Sequence, residues 1–331
     1  MKQPNLFFVL IISLCFFFNG CNAQPQSNSL KLVGSITLPD VRGRIDHLAY
    51  DNAGEIVYVA ALGNNSLEVV DLKNKKVIHS IKNLHEPQGV AFIPESSSIF
   101  VANGDNGECD VFDANTFQKK ASIKLSGDAD NVRYDAEKNL VYVGYGSGAI
   151  AIIDAKTMQE IASIKLDGHP ESFQLSKKQN RIYVNVPDRD EIEVADLSTH
   201  LVIEKRKNTK ASSNFPMALD EQHHRLFIGC RSPGTLREIN TITGKDISSM
   251  SCTGDADDVF YDLNNNLVFV SGGRGFIDVF EAGDTLKHID HIATSSGART
   301  SLLLTSQKTF LLAVPSRSGN SAALWVYKIN K

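Results

Sequence analysis

Short apolar runs, each built around an aromatic residue, recur along this chain every 41 to 44 positions. They are Ile56-Val57-Tyr58-Val59, Ile99-Phe100-Val101, Leu140-Val141-Tyr142-Val143, Arg181-Ile182-Tyr183-Val184, Leu226-Phe227-Ile228 and Leu267-Val268-Phe269-Val270. Each follows a strand-like segment such as Gln88-Gly89-Val90-Ala91-Phe92 and precedes a Gly/Asn/Asp loop and a third run. The third runs end at Asp71, Asp113, Asp154, Asp196 and Asn240, spaced 42, 41, 42 and 44, and fourth runs follow at positions 75–81, 121–125 and 161–166. Four strands per period of this length, with no helical stripe, define the blade of a β-propeller. The second run is apolar on both faces because each blade packs between two others, and alternation returns in the third and fourth runs, nearer solvent. The recurrent Asp reads as an Asx turn into the fourth strand.

The 308 residues after position 23 divide into seven units of 44. Six blades read completely from Arg44 to about Ala293; the seventh supplies Thr300 to Thr305, Phe310 to Val314 and Ala322 to Ile329 and lacks a fourth strand. Leu30 to Leu38 has the pattern of a fourth strand but precedes the first blade. It is expected to pair with the C-terminal strand, so that no sheet edge stays open. The fold class is therefore all-β, a seven-bladed propeller of four antiparallel strands per blade, occupying residues 30–331. The repeats Tyr58-Val59-Ala60, Val101-Ala102-Asn103 and Tyr142-Val143-Gly144, each followed by a strand ending in Asp, resemble the YVTN-type propeller repeat. The whole chain looks like an exported YncE-like propeller, a resemblance that implies architecture and leaves the ligand open.

Residues 1–23 stand outside the repeat. Lys2 precedes the 13-residue apolar run Leu6 to Phe18, too short for a membrane span and suited to a secretory signal. Two cleavage readings stand. Phe18-Asn19-Gly20-Cys21 resembles a lipobox with lipid on Cys21, and Cys21-Asn22-Ala23 before Gln24 suits ordinary signal peptidase. Residues 24–29 are a polar linker. The expected location is the periplasm, soluble, or the outer membrane as a lipoprotein anchored through Cys21. Net charge is −4, so no global basic field favours nucleic acid, and a monomer is expected. Cys109, Cys230 and Cys252 form no CxxC and read as buried apolar side chains, with no bridge between Cys230 and Cys252, which lie two strands apart.

In a propeller the loops that enter the inner strands ring one mouth of the central channel, where function concentrates. Two positions before each inner strand's first apolar residue stand Asp46, Gln88, Asp130, Glu171, Phe215, Asp257 and Thr300, and the next position adds His47, Asn131 and Asp258. Arg44, His85, His169 and Arg299 lie nearby, and Arg189, Arg231, Arg274 and Arg317 reach the same face from other loops. The candidate ligand-binding set is Arg44, Asp46, His47, Gln88, Asp130, Asn131, Glu171, Asp257 and Arg299. Carboxylates converging on one opening repel unless cations offset them, and the two loops Gly127-Asp128-Ala129-Asp130 and Gly254-Asp255-Ala256-Asp257 also suit plain turns.

Three function classes follow. The first is a binding module whose polar mouth takes a small molecule, peptide or protein partner. The second is a metal-assisted hydrolase or lyase resembling gluconolactonase-like propellers, with Asp46, Asp130, Glu171 and Asp257 as oxygen ligands for Ca²⁺ or Mg²⁺ and His47 as general base. The third is a redox propeller, for which a single tryptophan, Trp325, and no Cys-x-x-Cys-His offer little. Ser271-Gly272-Gly273-Arg274-Gly275 joins two strands and lacks the helix that phosphate binding needs, and His223-His224 falls in a turn on the opposite face.

Overall fold

Seven four-stranded antiparallel sheets follow one another in chain order and form the blades of a propeller. The computed structural model describes residue 1 and residues 29–208, 211–317 and 319–330. The expected leader past Met1, Cys21 and most of the linker lie outside the described residues. Blade one runs Leu48–Asp51, Ile56–Ala61, Ser66–Asp71 and Lys76–Lys82 from channel to rim, and blade two runs Pro87–Ile93, Ser98–Asn103, Glu108–Asp113 and Lys119–Lys124. Blade three is Val132–Asp135, Leu140–Tyr145, Ala149–Asp154 and Gln159–Lys165; blade four is Phe173–Ser176, Arg181–Val186, Glu191–Asp196 and Val202–Lys207. Blade five is Ser212–Asp220, Arg225–Ser232, Gly234–Asn240 and Asp246–Ser251; blade six is Ala256–Asp262, Leu267–Gly272, Phe276–Ala282 and Leu286–Ala293. Blade seven takes Ser301–Leu304, Thr309–Val314 and Ala322–Ile329 from the end of the chain and its rim strand, Leu30–Leu38, from the beginning.

That last pairing closes the ring as the alternation of Leu30–Leu38 requires. Ile36 lies opposite Leu324, Leu38 opposite Ala322 and Leu30 opposite Ile329, and all six side chains are buried. The core sits between neighbouring blades. Val57, Val59 and Ala61 pack with Leu311, Ala313 and Leu324 of blade seven, while Tyr58 and Ala60 on the other face pack with Ile99 and Val101 of blade two. Period-two side chains sandwiched between two sheets explain why the second strands are apolar throughout.

The acid or amide ending the third strand of blades one to five makes the turn its spacing implies. The Oδ1 of Asp154 accepts the backbone N–H groups of Lys156 and Thr157 at 2.9 and 2.7 Å, and Asp113, Asp196 and Asn240 repeat the geometry. The donated backbone N–H groups hold the Asp154 and Asp196 carboxyls below the usual range. Asp154→Asn should lower the melting temperature only slightly, since Asn240 already serves in blade five but carries no charge for the N–H groups to favour, and Asp154→Ala should lower it further. A melting temperature indifferent to alanine would show the turn standing without its side chain. Cys109, Cys230 and Cys252 are free thiols, and the third strand of blade five separates the strand of Cys230 from the strand that ends at Ser251, next to Cys252.

Candidate functional site

One end of the central channel carries the residues that precede the inner strands. The channel encloses about 450 Å³ and is lined by all seven inner strands, with His47, Ser172, Asp258 and Ser301 at this end and Tyr50, Tyr134 and Tyr261 further along. Strand entry explains the convergence. Each inner strand begins against the channel, so its preceding backbone hangs over the opening, pinned by bonds such as Asp46 N–H to Ala60 O and His47 N–H to Gln88 O. Gly89 makes part of this possible, because a Cβ there would collide with the Asp130 carbonyl of the next blade.

Charges at this end are segregated. On one side arginines meet acids. Arg44 Nη2 lies 2.8 Å from Asp46 Oδ2 and 3.7 Å from Asp257 Oδ2. Arg231 donates to Asp257 and stacks 3.5 Å over the Phe215 ring, and Arg299 Nη1 donates to Asp255 Oδ1 at 3.0 Å. Thr300 ties blade seven to blade one through its hydroxyl, which donates to Ile45 O at 3.2 Å. On the other side, Asp130 of blade three and Glu171 of blade four lie with His169, their ligand atoms within 4.8 Å of one another. Neither carboxylate has a side-chain hydrogen bond or ion pair among the described residues, and Asp130 is buried. Burial and the neighbouring Glu171 push the Asp130 carboxyl well above its usual range, and burial with Asp257 raises Glu171 to about 8, against the pull of Arg231.

His47 occupies the centre. Its Nδ1 is 3.5 Å from Asp258 Oδ1, its Nε2 is 3.7 Å from Asp46 Oδ1, and Asn131 sits 3.1 Å from Nε2. Burial disfavours the charged imidazole, but the two carboxylates outweigh it and raise His47 to about 10. Asn131 places its Nδ2 against His47 Nε2, while its Oδ1 lacks a partner, so the same amide can serve a neutral ring as donor or, turned over, a protonated ring as acceptor.

The candidate residues therefore divide. Arg44, Asp46, His47, Asn131, Asp257 and Arg299 belong to one cluster of direct ion pairs and hydrogen bonds, while Asp130 and Glu171, beside His169, make no direct ion pair among the described residues and feel that cluster only through space. Gln88 lies at the edge, its Nε2 donating to Asp128 Oδ1 at 3.0 Å. Asp46, Asp130, Glu171 and Asp257 do not meet at one point, because Asp46 and Asp257 are drawn to guanidinium groups. Arg133 is absent from the sequence reading of the mouth. It occupies an apolar-phase position of its strand, hydrogen-bonds Val132 O at 2.9 Å, and has its pKa lowered by burial in the channel. An arginine inside an inner strand is the signal that would have found it.

No protein-family model matches the sequence, and no curated protein shows significant similarity to it. Among solved structures, a chain from the crystal structure of a mitotic checkpoint complex aligns over 100% of both chains with a TM-score of 0.78 at 12% identity. At that identity the likeness shows the fold alone, and the chain is a seven-bladed β-propeller.

Proposed function

We propose that this chain is an exported binding module, of the YVTN-type and YncE-like kind, whose channel mouth takes a small molecule or peptide through a positively charged group. The observation that carries this reading is the Asp130–Glu171 pair: the two carboxylates lie within 4.8 Å of one another and of His169, Asp130 buried and Glu171 partly so, with no lysine or arginine among the described residues in ion-pair contact, while Arg44 and Arg231 make their ion pairs with Asp46 and Asp257. An ammonium or guanidinium placed between them would favour the ionised carboxylates, which release their protons as the cation enters and then pair with it. Arg44, partly exposed and within electrostatic reach of both carboxyls, offers an anion contact for a zwitterionic ligand. The leader reading places the protein in the periplasm or, lipidated on Cys21, at the outer membrane.

Thermal-shift titration tests this with agmatine and putrescine as cationic probes, Ca²⁺ and Mg²⁺ as metal probes, and acetate as the anionic control. The amines should raise the melting temperature of the native chain and leave that of Asp130→Asn/Glu171→Gln unmoved. No shift from either amine, or a shift that survives the double substitution, would overturn the proposal. Stabilisation by Ca²⁺ alone, lost in the same variant, would move the assignment to the metal class.

A further inference from the structure

A second cluster lies outside the mouth's ion pairs, on the two outer strands of blade six. Asp278, on the third strand, is buried, and its Oδ1 accepts from His288 Nε2 at 2.7 Å and His291 Nδ1 at 2.6 Å, both from the fourth strand. Residues three apart on a regular strand point to opposite faces. Here a bulge intervenes. Asp278 pairs with His291 and Phe280 with His288, and the register shift between Val279 and Phe280 brings both imidazoles onto the face of Asp278. Phe276 stacks on His291 with centroids 4.1 Å apart and Phe280 on His288 at 4.8 Å, so both rings are held in place. The other carboxylate oxygen, Oδ2, is oriented by the backbone N–H of Thr253.

The repeat supplies its own control. Bulges at the same register occur in blades one to five. In blade two the corresponding Asp110 is held by Lys119 Nζ at 2.8 Å, and in blade one Glu68 accepts Ser66 and Ser80 hydroxyls at 2.6 and 2.9 Å. Asn103 Nδ2 adds a second bond to Asp110 at 3.3 Å, and in blade four the equivalent Glu193 accepts the backbone N–H of Asp167 at 2.8 Å, so buried acids at this position are met by an ammonium and an amide, by hydroxyls or by backbone. Blade six instead places two imidazoles on one oxygen. Each side chain also keeps a solvent-facing part, with 34% of His288 and 49% of His291 exposed, leaving an open approach.

We propose that Asp278, His288 and His291 form a binding site for a divalent transition-metal cation of the zinc, nickel or copper class. Two imidazoles and a carboxylate match the preferences of these ions, whereas Ca²⁺ and Mg²⁺ seek oxygen. Ligand bonds of about 2.0–2.2 Å at tetrahedral angles put neighbouring donor atoms about 3.3–3.6 Å apart, so the rings retreat by roughly 0.6–1 Å as the ion enters. Metal-bound imidazoles are neutral. Each proton leaves the nitrogen that turns to the metal and is carried by the other ring nitrogen, His288 becoming the Nδ1–H tautomer and His291 the Nε2–H tautomer. Water fills the open position.

Calorimetric titration of the chelator-stripped full chain, without a polyhistidine tag, with ZnCl₂ tests the site. One equivalent of Zn²⁺ should bind. The variant His288→Lys/His291→Ser rebuilds the blade-two arrangement of Lys119 and Ser122, so its metal-free melting temperature should match the native chain's. Its Zn²⁺ affinity should fall by more than about 100-fold, beyond the 10–100-fold that losing an outer-shell partner brings. If that melting temperature drops, His291→Ser alone carries the test, since serine stands at the equivalent place in four blades. No saturable Zn²⁺ binding, binding unchanged in these variants, or binding removed only by Glu171→Gln at the mouth would each overturn the assignment.

Discussion

A chain ended after Asn320 should show no cooperative thermal unfolding. The missing strand, Ala322–Ile329, lies between Thr309–Val314 and Leu30–Leu38 and hydrogen-bonds to both, so its loss opens blade seven in the middle and frees the N-terminal strand. Leu324, Tyr327 and Ile329 are all buried. At about 1.5–3 kcal/mol for each large apolar side chain, these three alone account for about 5–9 kcal/mol. That is comparable to the whole stability margin of a domain, about 5–15 kcal/mol. Two sheet edges would be left unpaired as well, which favours aggregation. Circular dichroism during heating, with size-exclusion chromatography, checks the result. A monomer melting cooperatively near the full-length temperature would show that six blades hold without closure.

Stability should fall as pH rises from about 5 to 8, and Glu171→Gln should flatten that fall. The folded state holds the Glu171 carboxyl at about 8, above its unfolded value, because of burial and Asp257, and Asp130 is raised with it. Between the unfolded and folded pKa values the native state binds more protons than the unfolded chain. The contribution is therefore complete at acidic pH and is lost as pH passes through the folded value. Glutamine keeps the size and removes the charge. At pH 8 the variant should be more stable than the native chain by about 1–3 kcal/mol, a figure kept small because Glu171 is only half-buried. At pH 5 the two should nearly coincide. Urea denaturation at both pH values reads this directly. A loss of about 1–3 kcal/mol at both would mean that Glu171 makes a structural hydrogen bond, and the pocket would lose its claim as a binding site.

The spacing of Tyr58, Phe100, Tyr142, Tyr183, Phe227 and Phe269 determined the blade repeat without further help, because a four-stranded sheet buried on both faces writes a local signature into each period. Even the closure by Leu30–Leu38 was legible, since a fourth-strand pattern ahead of the first blade has one sheet to join. The Asx turns were likewise written in residues two and three positions apart. Charge pairing was not. That Asp46 and Asp257 take arginines while Asp130 and Glu171 do not, that His47 stands between Asp46 and Asp258, and that Arg133 enters the channel all depend on contacts between blades, such as the one joining Thr300 to Ile45 across 255 residues. The Asp278–His288–His291 cluster shows the same limit at short range. A strand's alternation places those histidines on opposite faces, and only the bulge, a property of two paired strands, sets them side by side. Periodicity along one chain reports which side chains face a core. The protonation and pairing of buried charges depend on the dielectric and neighbours that ring closure creates.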